Sequence, residues 1–124
     1  MKILVTEIQY NKILKEEEEQ KVLRIPSLKL FSGDWDLLQK FLELKGNPPY
    51  SIGGDLDLYE TPIESLGNLQ SVGGYLDLYK TPIESLGNLK SVGGFLNLPE
   101  TPLSTMYSEK QIRQMVDVGG KIFM

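Results

Sequence analysis

The sequence predicts an α/β repeat fold: a short solenoid with a parallel β-sheet of about four rungs, a helical amino-terminal cap and a short helix before the carboxy-terminal strand. Three observations support this prediction. A twenty-residue unit recurs along the second half of the chain. Each unit contains a Leu-x-Leu pair, which has the period of a β-strand. Glycine, proline and asparagine recur at fixed places in the units, where the chain must turn.

The composition of the 124-residue chain fits one domain that lacks the usual catalytic side chains. Hydrophobic residues make up 40% and charged residues 24% of the chain, which disfavours disorder. The chain has no histidine and no cysteine, and so it lacks the commonest general base, the best nucleophile and the usual zinc ligands. We therefore expect a protein that is not an enzyme and that uses no metal or cofactor.

The negative charge of the chain lies in its second half. Thirteen basic and seventeen acidic residues give a formal net charge of −4. Residues 1–50 carry eight side chains of each sign, whereas residues 51–124 carry five basic and nine acidic ones. This balance disfavours nucleic acid and anionic membranes as partners and favours a protein with a basic surface.

The first residues of the chain predict neither export nor membrane insertion. The apolar run Ile3-Leu4-Val5 is followed by polar side chains, and three residues are too few for a signal-peptide core or a membrane span. We therefore expect a cytoplasmic protein.

A helix, an acidic segment and an edge strand are predicted in the first 31 residues of the chain. Thr6 can cap a first helix, whose face is Ile8, Ile13 and Leu14. The acidic run 16–19 follows, and it is either a solvated segment or a detachable arm that docks on a partner. Residues 22–31 predict an edge strand on the sheet, with two inward-pointing side chains, Leu28 and Leu30.

The amino-terminal cap is predicted just before the repeat. Ser32-Gly33-Asp34 precedes a helical stripe formed by Leu37, Leu38, Phe41 and Leu42. Gly46 and the two prolines that follow end this helix. Because a stacked array exposes an apolar end, we expect the helix to cover the first unit and Trp35 to belong to the core.

The repeat begins at Ser51. Residues 51–70 read SIGGDLDLYETPIESLGNLQ and residues 71–90 read SVGGYLDLYKTPIESLGNLK, so two units are nearly identical. The third unit, 91–124, starts as SVGGFLNLPETPLS and contains a further Val-Gly-Gly start near its end. We divide the chain into a helical arm and capping region, 1–50, and a repeat domain, 51–124. One unit buries too little apolar surface to fold alone, and so the units must stack.

The third unit differs from the others by an inserted helix. Ser108-Glu109-Lys110-Gln111 is a capping-box pattern. It predicts a short helix that continues to about Met115, followed by a last strand.

The shared pattern of the units is Leu-x-Leu-x-x-Thr-x-Ile-x-x-Leu-Gly-Asn-Leu-x-x-Val-Gly-Gly. It resembles the short leucine-rich repeat, in the variant similar to receptor L-type domains and to small bacteriophage-encoded repeat proteins, over residues 51–124. Thr61, Thr81 and Thr101 stand where the usual repeat has asparagine, so the asparagine ladder becomes a weaker hydroxyl ladder or none. The resemblance implies a phage protein. For so small a cytoplasmic binder, we expect that it binds and inhibits a host defence protein.

One face of the predicted sheet is a candidate partner-binding surface. Alternation along each strand points one side chain inward and the next outward. Aromatic anchors and aspartates that attract a basic partner then lie together. The predicted binding residues are Asp55, Asp57, Tyr59, Tyr75, Asp77, Tyr79, Phe95 and Asn97. The alternative is structural: duplicated aspartates and an aromatic ladder that stabilises the sheet.

The last strand of the repeat predicts how the chain associates. The last strand would expose an unpaired edge, which predicts a homodimer through Ile122, Phe123 and Met124.

An alternative function is an oligomeric sponge that sequesters a nucleotide. In this alternative, Tyr75, Tyr79 or Phe95 stacks on the base, and Lys80, Lys90 or Arg113 contacts the phosphate. A second alternative is a structural component.

Overall fold

The computed structural model describes residues 22–124. The predicted helix with Ile8, Ile13 and Leu14, and the acidic run 16–19, lie outside the described residues. The strands are β1 (Leu23–Ile25), β2 (Tyr50–Ile52), β3 (Leu56–Asp57), β4 (Leu69–Val72), β5 (Leu76–Asp77), β6 (Ser91–Val92), β7 (Leu96–Asn97), β8 (Asp117–Val118) and β9 (Ile122–Phe123). The helices are a 3₁₀-helix (Leu28–Phe31) and α1 (Trp35–Leu44), α2 (Pro102–Met106) and α3 (Glu109–Met115).

The strands form two parallel sheets, and this confirms the mixed α/β class. One sheet has five strands in the order β1-β2-β4-β6-β8, and the other has four in the order β3-β5-β7-β9. Within the first units, strand partners lie twenty residues apart: Leu56 pairs with Leu76, and Leu76 pairs with Leu96. The prediction of one sheet was incomplete, because the segment before each Gly-Gly pair also forms a ladder, as in the pairing of Val72 with Val92.

Apolar side chains from both sheets form one hydrophobic core. Both leucines of each Leu-x-Leu pair are buried, as predicted from their strand period. The more widely spaced positions that follow, such as Ile63, Leu66 and Leu69, are buried as well. The same core includes Trp35, so the capping region and the repeat share one apolar cluster.

The Gly-Gly pairs allow successive units to approach closely. The Gly73 N–H donates to the Ile52 carbonyl at 2.8 Å, and the Gly93 N–H donates to the Val72 carbonyl at 2.8 Å. A Cβ atom on Gly73 would overlap the carbonyl of Gly53. A side chain at this position would therefore force two units apart.

The threonines close a turn inside each unit. The hydroxyls of Thr61, Thr81 and Thr101 donate to the carbonyls of the leucines three residues earlier, at 2.6, 2.8 and 2.6 Å. These bonds make no ladder between units. A cross-unit amide contact occurs at the Gly-Asn corner instead, where Asn88 Nδ2 donates to Asn68 Oδ1 at 3.1 Å.

Helix α1 begins at Trp35 and uses Asp34 as its N-cap. Leu38 and Leu42 are buried, but Leu37 is 46% exposed, so only part of the predicted stripe faces the core. Trp35 packs at a tilt against Tyr50, with 6.5 Å between ring centroids. The Tyr50 hydroxyl donates to the Leu66 carbonyl at 2.7 Å, and Gln39 Nε2 donates to that hydroxyl at 3.2 Å.

The segment before α1 differs from the prediction of a strand over residues 22–31. Only β1 is extended, and a 3₁₀-helix follows. A helical turn points residues two apart in different directions, so Leu28 is buried whereas Leu30 is 68% exposed. The expectation that Leu30 points inward was therefore wrong.

Two short helices lie in the third unit. The predicted capping box is confirmed: Ser108 Oγ accepts from the Gln111 N–H, and Gln111 Oε1 accepts from the Ser108 N–H. Helix α2 was not predicted, although Thr101 caps it and Pro102 begins it. Among residues 22–124, no helix is long and apolar enough to cross a membrane.

Replacing Gly73 by alanine should destabilise the fold strongly. The added Cβ would meet the Gly53 carbonyl, and overpacking of this kind costs about 1–3 kcal/mol or more. Gly53→Ala is the matched control. Its Cβ would lie 3.3 Å from the Pro26 carbonyl oxygen and would not overlap it, unlike the Cβ at Gly73. Urea unfolding of both variants measures the difference, and equal losses of stability would contradict the role given to the Gly-Gly pair.

Stability should fall in alkaline solution partly through Tyr50. Burial raises the pKa of the Tyr50 phenol above its ordinary value, so the neutral form is favoured in the folded chain. The unfolded chain loses this proton first, and the free energy of unfolding therefore decreases as the pH rises beyond about 10. Tyr50→Phe should weaken this dependence and cost about 1–2 kcal/mol at neutral pH. Urea unfolding between neutral and alkaline pH tests both effects, and an unchanged pH dependence would contradict the first.

Candidate functional site

The eight predicted binding residues lie along the outward side of the four-stranded sheet. We call this surface the four-stranded face; it comprises Asp55, Asp57, Tyr59, Tyr75, Asp77, Tyr79, Phe95, Asn97, Lys121 and Phe123. The strand register aligns Asp57 with Asp77, Asp77 with Asn97, and Asn97 with Phe123. The leucines between these positions are buried. The predicted alternation is therefore confirmed.

Aromatic rings run across the middle of this face. Tyr75 and Phe95 stack with 4.6 Å between centroids and an interplanar angle of 4°. Phe123 meets Phe95 edge to face at 5.8 Å. Tyr59 and Phe123 are still 52% and 45% exposed. The rings thus stabilise each other and also leave apolar surface available for contact.

The aspartates of the face have local structural roles. Asp55 Oδ1 accepts from the Tyr75 N–H at 3.0 Å, and Asp57 Oδ1 accepts from the Tyr59 N–H at 3.3 Å. Asp77 Oδ1 accepts from both the Tyr79 N–H and Asn97 Nδ2 at 3.0 Å. One oxygen of each carboxylate therefore has a structural role, while the negative charge remains on the surface.

The carboxylates also change the acidity of the neighbouring phenols. Partial burial raises the pKa of Tyr75, and the charges of Asp57, Asp55 and Asp77 raise it further. The pKa of Tyr79 is raised chiefly by hydrogen bonding to the adjacent Glu100 carboxylate. Both shifts extend the range over which the phenols stay neutral toward more alkaline pH.

A cleft of about 390 Å³ adjoins the acidic end of the face. One wall is the segment Gly33–Asp36, and the other is formed by Asp57, Leu58 and residues 61–65. Four carboxylates line the cleft: Asp34, Asp36, Asp57 and Glu64. The sequence pattern does not reveal this cleft, because its two walls are separated by about twenty residues and meet only through the packing of α1.

The described residues do not provide an evident metal centre. Across residues 22–124, no group of three or more acidic side chains is arranged to hold a metal ion.

The residues predicted for nucleotide binding fall into separate groups: the Tyr75–Phe95 stack, the Lys80–Tyr79 pair, Lys90 and Arg113. Tyr75 and Phe95 stack on each other. Lys80 follows β5, and its Nζ lies 5.6 Å from the centre of the Tyr79 ring, whereas Lys90 precedes β6 in the other sheet. Arg113 donates to the Val118 and Gly120 carbonyls at 3.1 and 3.0 Å.

The predicted dimerisation residues divide into two groups. Ile122 is buried in the chain's own core, because it pairs with Leu96 and continues the inward leucine positions. Its side chain therefore cannot serve an interface as expected. Phe123 and Met124 remain exposed.

The two roles of Asp77 can be separated by substitution. Asp77→Asn keeps an oxygen that accepts from the Tyr79 N–H, and we expect its stability to change by less than about 0.5 kcal/mol. Asp77→Ala removes the acceptor for two donors and should cost about 1–2 kcal/mol. Urea unfolding measures both, and equal stability of the alanine variant and the parent would contradict the structural role.

Comparison with known proteins gave no relative of this chain: no family model, no curated protein and no solved structure matches it.

Proposed function

We propose that the chain is a short leucine-rich-repeat-like solenoid that acts as a non-enzymatic protein-binding module. The twenty-residue spacing of strand partners in both sheets supports the repeat architecture. The Gly-Gly contacts between successive units support it as well. In this proposal, each unit contributes one row of outward side chains to the four-stranded face.

The main observation behind the binding role is the exposed aromatic surface beside carboxylates. Tyr59 and Phe123 keep about half of their surface exposed at the two ends of the face. Partly exposed aromatic side chains are frequent anchors in protein interfaces. Negative charge at Asp55, Asp57 and Asp77 favours a partner with a basic surface, because complementary charge speeds association and selects partners.

The partner is proposed to be a host protein. The repeat pattern resembles small bacteriophage-encoded repeat proteins, and this resemblance supports a phage protein that acts in the host cytoplasm and inhibits a defence protein. In this proposal the four-stranded face inhibits the host protein by covering a basic surface, without any chemistry of its own.

We also propose a homodimer whose side-chain contacts come from Phe123 and Met124 and not from Ile122. The exposed side chains of Phe123 and Met124 support it. Ile122 takes part only through the backbone of β9, since its side chain is buried.

The binding role is tested by capture of a partner on variants of the face. The face variant combines Asp57→Asn, Tyr59→Ser, Asp77→Asn and Tyr79→Ser, and it should lose a bacterial protein that the parent retains. The control variant combines Glu43→Gln and Glu84→Gln, two exposed residues away from the face. It changes the net charge by the same amount and should retain that protein.

Two results would contradict the proposal. One is equal retention of the same protein by the parent and the face variant. The other is loss of the protein by the charge-matched control, which would assign the effect to net charge alone. Urea unfolding of all three proteins verifies that they are folded.

A further inference from the structure

We infer that the outer edge of β3 binds an extended segment of a partner as an added parallel strand, with an apolar-basic-apolar triplet opposite Leu56, Asp57 and Leu58. This inference rests on the proposed protein-binding function and names the chemistry of the docked segment. Addition of a strand to a sheet edge is a common mode of peptide recognition.

The ladder between β3 and β5 shows which backbone groups a preceding strand would meet. The N–H groups of Leu56, Leu58 and Glu60 donate to the carbonyls of Tyr75, Asp77 and Tyr79, at 2.9, 2.9 and 2.7 Å. In the first unit, the residues equivalent to these three acceptors are Asp55, Asp57 and Tyr59. Their carbonyls therefore point to the outer side of β3, together with the Asp57 N–H.

No strand of the described chain occupies that side. β3 is the edge of the four-stranded sheet, whereas the five-stranded sheet has one more strand, β1. The chain follows the path of a preceding unit as far as Pro26, whose carbonyl accepts from the Gly54 N–H at 2.9 Å. It then turns into the 3₁₀-helix, which Ser27 caps. The position beside β3 is thus left without a strand.

The cleft of about 390 Å³ lies at this position, since Asp57 and Leu58 of the edge line it. Its lining selects side chains by their direction. Paired residues of neighbouring strands point to the same side of a sheet. Residues opposite Leu56 and Leu58 would point inward, toward Trp35 and Ile63, and should be apolar. The residue opposite Asp57 would point outward, among carboxylates, and should be lysine or arginine.

The opposite end of the molecule shows how an edge can be covered. Arg113 donates to the Val118 and Gly120 carbonyls, which belong to the last strand of the five-stranded sheet and the turn after it. A charged side chain on edge carbonyls hinders strand addition. In the part of the chain that the structure describes, β3 has no equivalent bond to an arginine or lysine side chain. The two edges therefore differ in their availability.

The test uses a synthetic peptide, acetyl-Thr-Val-Lys-Val-Thr-amide, with the full chain. Trp35 is the one tryptophan of the sequence and lines the cleft, so its fluorescence reports occupation. We expect saturable binding. Acetyl-Thr-Val-Glu-Val-Thr-amide should bind at least about tenfold more weakly, because like charges would face each other.

Backbone methylation of the peptide distinguishes strand addition from simple charge attraction. Methylation of either valine nitrogen removes a donor to the Asp55 or Asp57 carbonyl and should weaken binding about tenfold. Methylation of the lysine nitrogen alters a group that points away from β3, and it should leave affinity unchanged within about twofold. Equal effects at all three positions, or no saturable fluorescence change with the parent peptide, would overturn the inference.

Matched protein variants locate the site. Glu64→Gln should weaken binding of the lysine peptide, whereas Glu84→Gln, at the equivalent position of the next unit, should not. Equal affinities of the two variants would overturn the assignment to this cleft. The peptide assay needs no natural partner. Its failure would leave the capture result for the four-stranded face unaffected, and failure of capture would leave the peptide result interpretable.

Discussion

The close approach of successive units at the Gly-Gly pairs is the constraint on which the rest of the structure depends. Backbone N–H groups of Gly73 and Gly93 donate to carbonyls of the preceding unit, and a Cβ atom on either glycine would overlap another carbonyl of that unit. This contact sets the distance between units on one side of the core. The leucine pairs then come into register on the other side, so that two ladders support each other.

The candidate binding surface is a consequence of that stacking. Tyr75 and Phe95 are twenty residues apart in sequence and become stacked rings because their strands are paired in register. The aspartates acquire two functions in the same way. Asp77 caps the backbone at Tyr79 and holds Asn97 of the next unit, while its charge helps to raise the pKa of Tyr75. The residues with these structural roles are therefore the same residues for which we propose a binding role.

The unequal number of strands in the two sheets gives the molecule an asymmetry that the repeat alone would not have. β1 extends one sheet beyond the first unit, but Ser27 starts a helical turn before a second strand can form. The acidic cleft lies beside β3 as a result. It connects the four-stranded face with the amino-terminal end of α1, and the two surfaces share Asp57.

The sequence by itself determined the parts of the fold that depend on local pattern. The leucine period, the outward alternation from Asp55 to Tyr59 and the Ser108 capping box follow from neighbours a few residues apart, and the structure confirms them. The second sheet, helix α2, the exposure of Leu30 and Leu37, the burial of Ile122 and the acidic cleft were decided only by the tertiary structure. The physical reason is that these features depend on which segments pack together, and a periodic pattern does not contain that information.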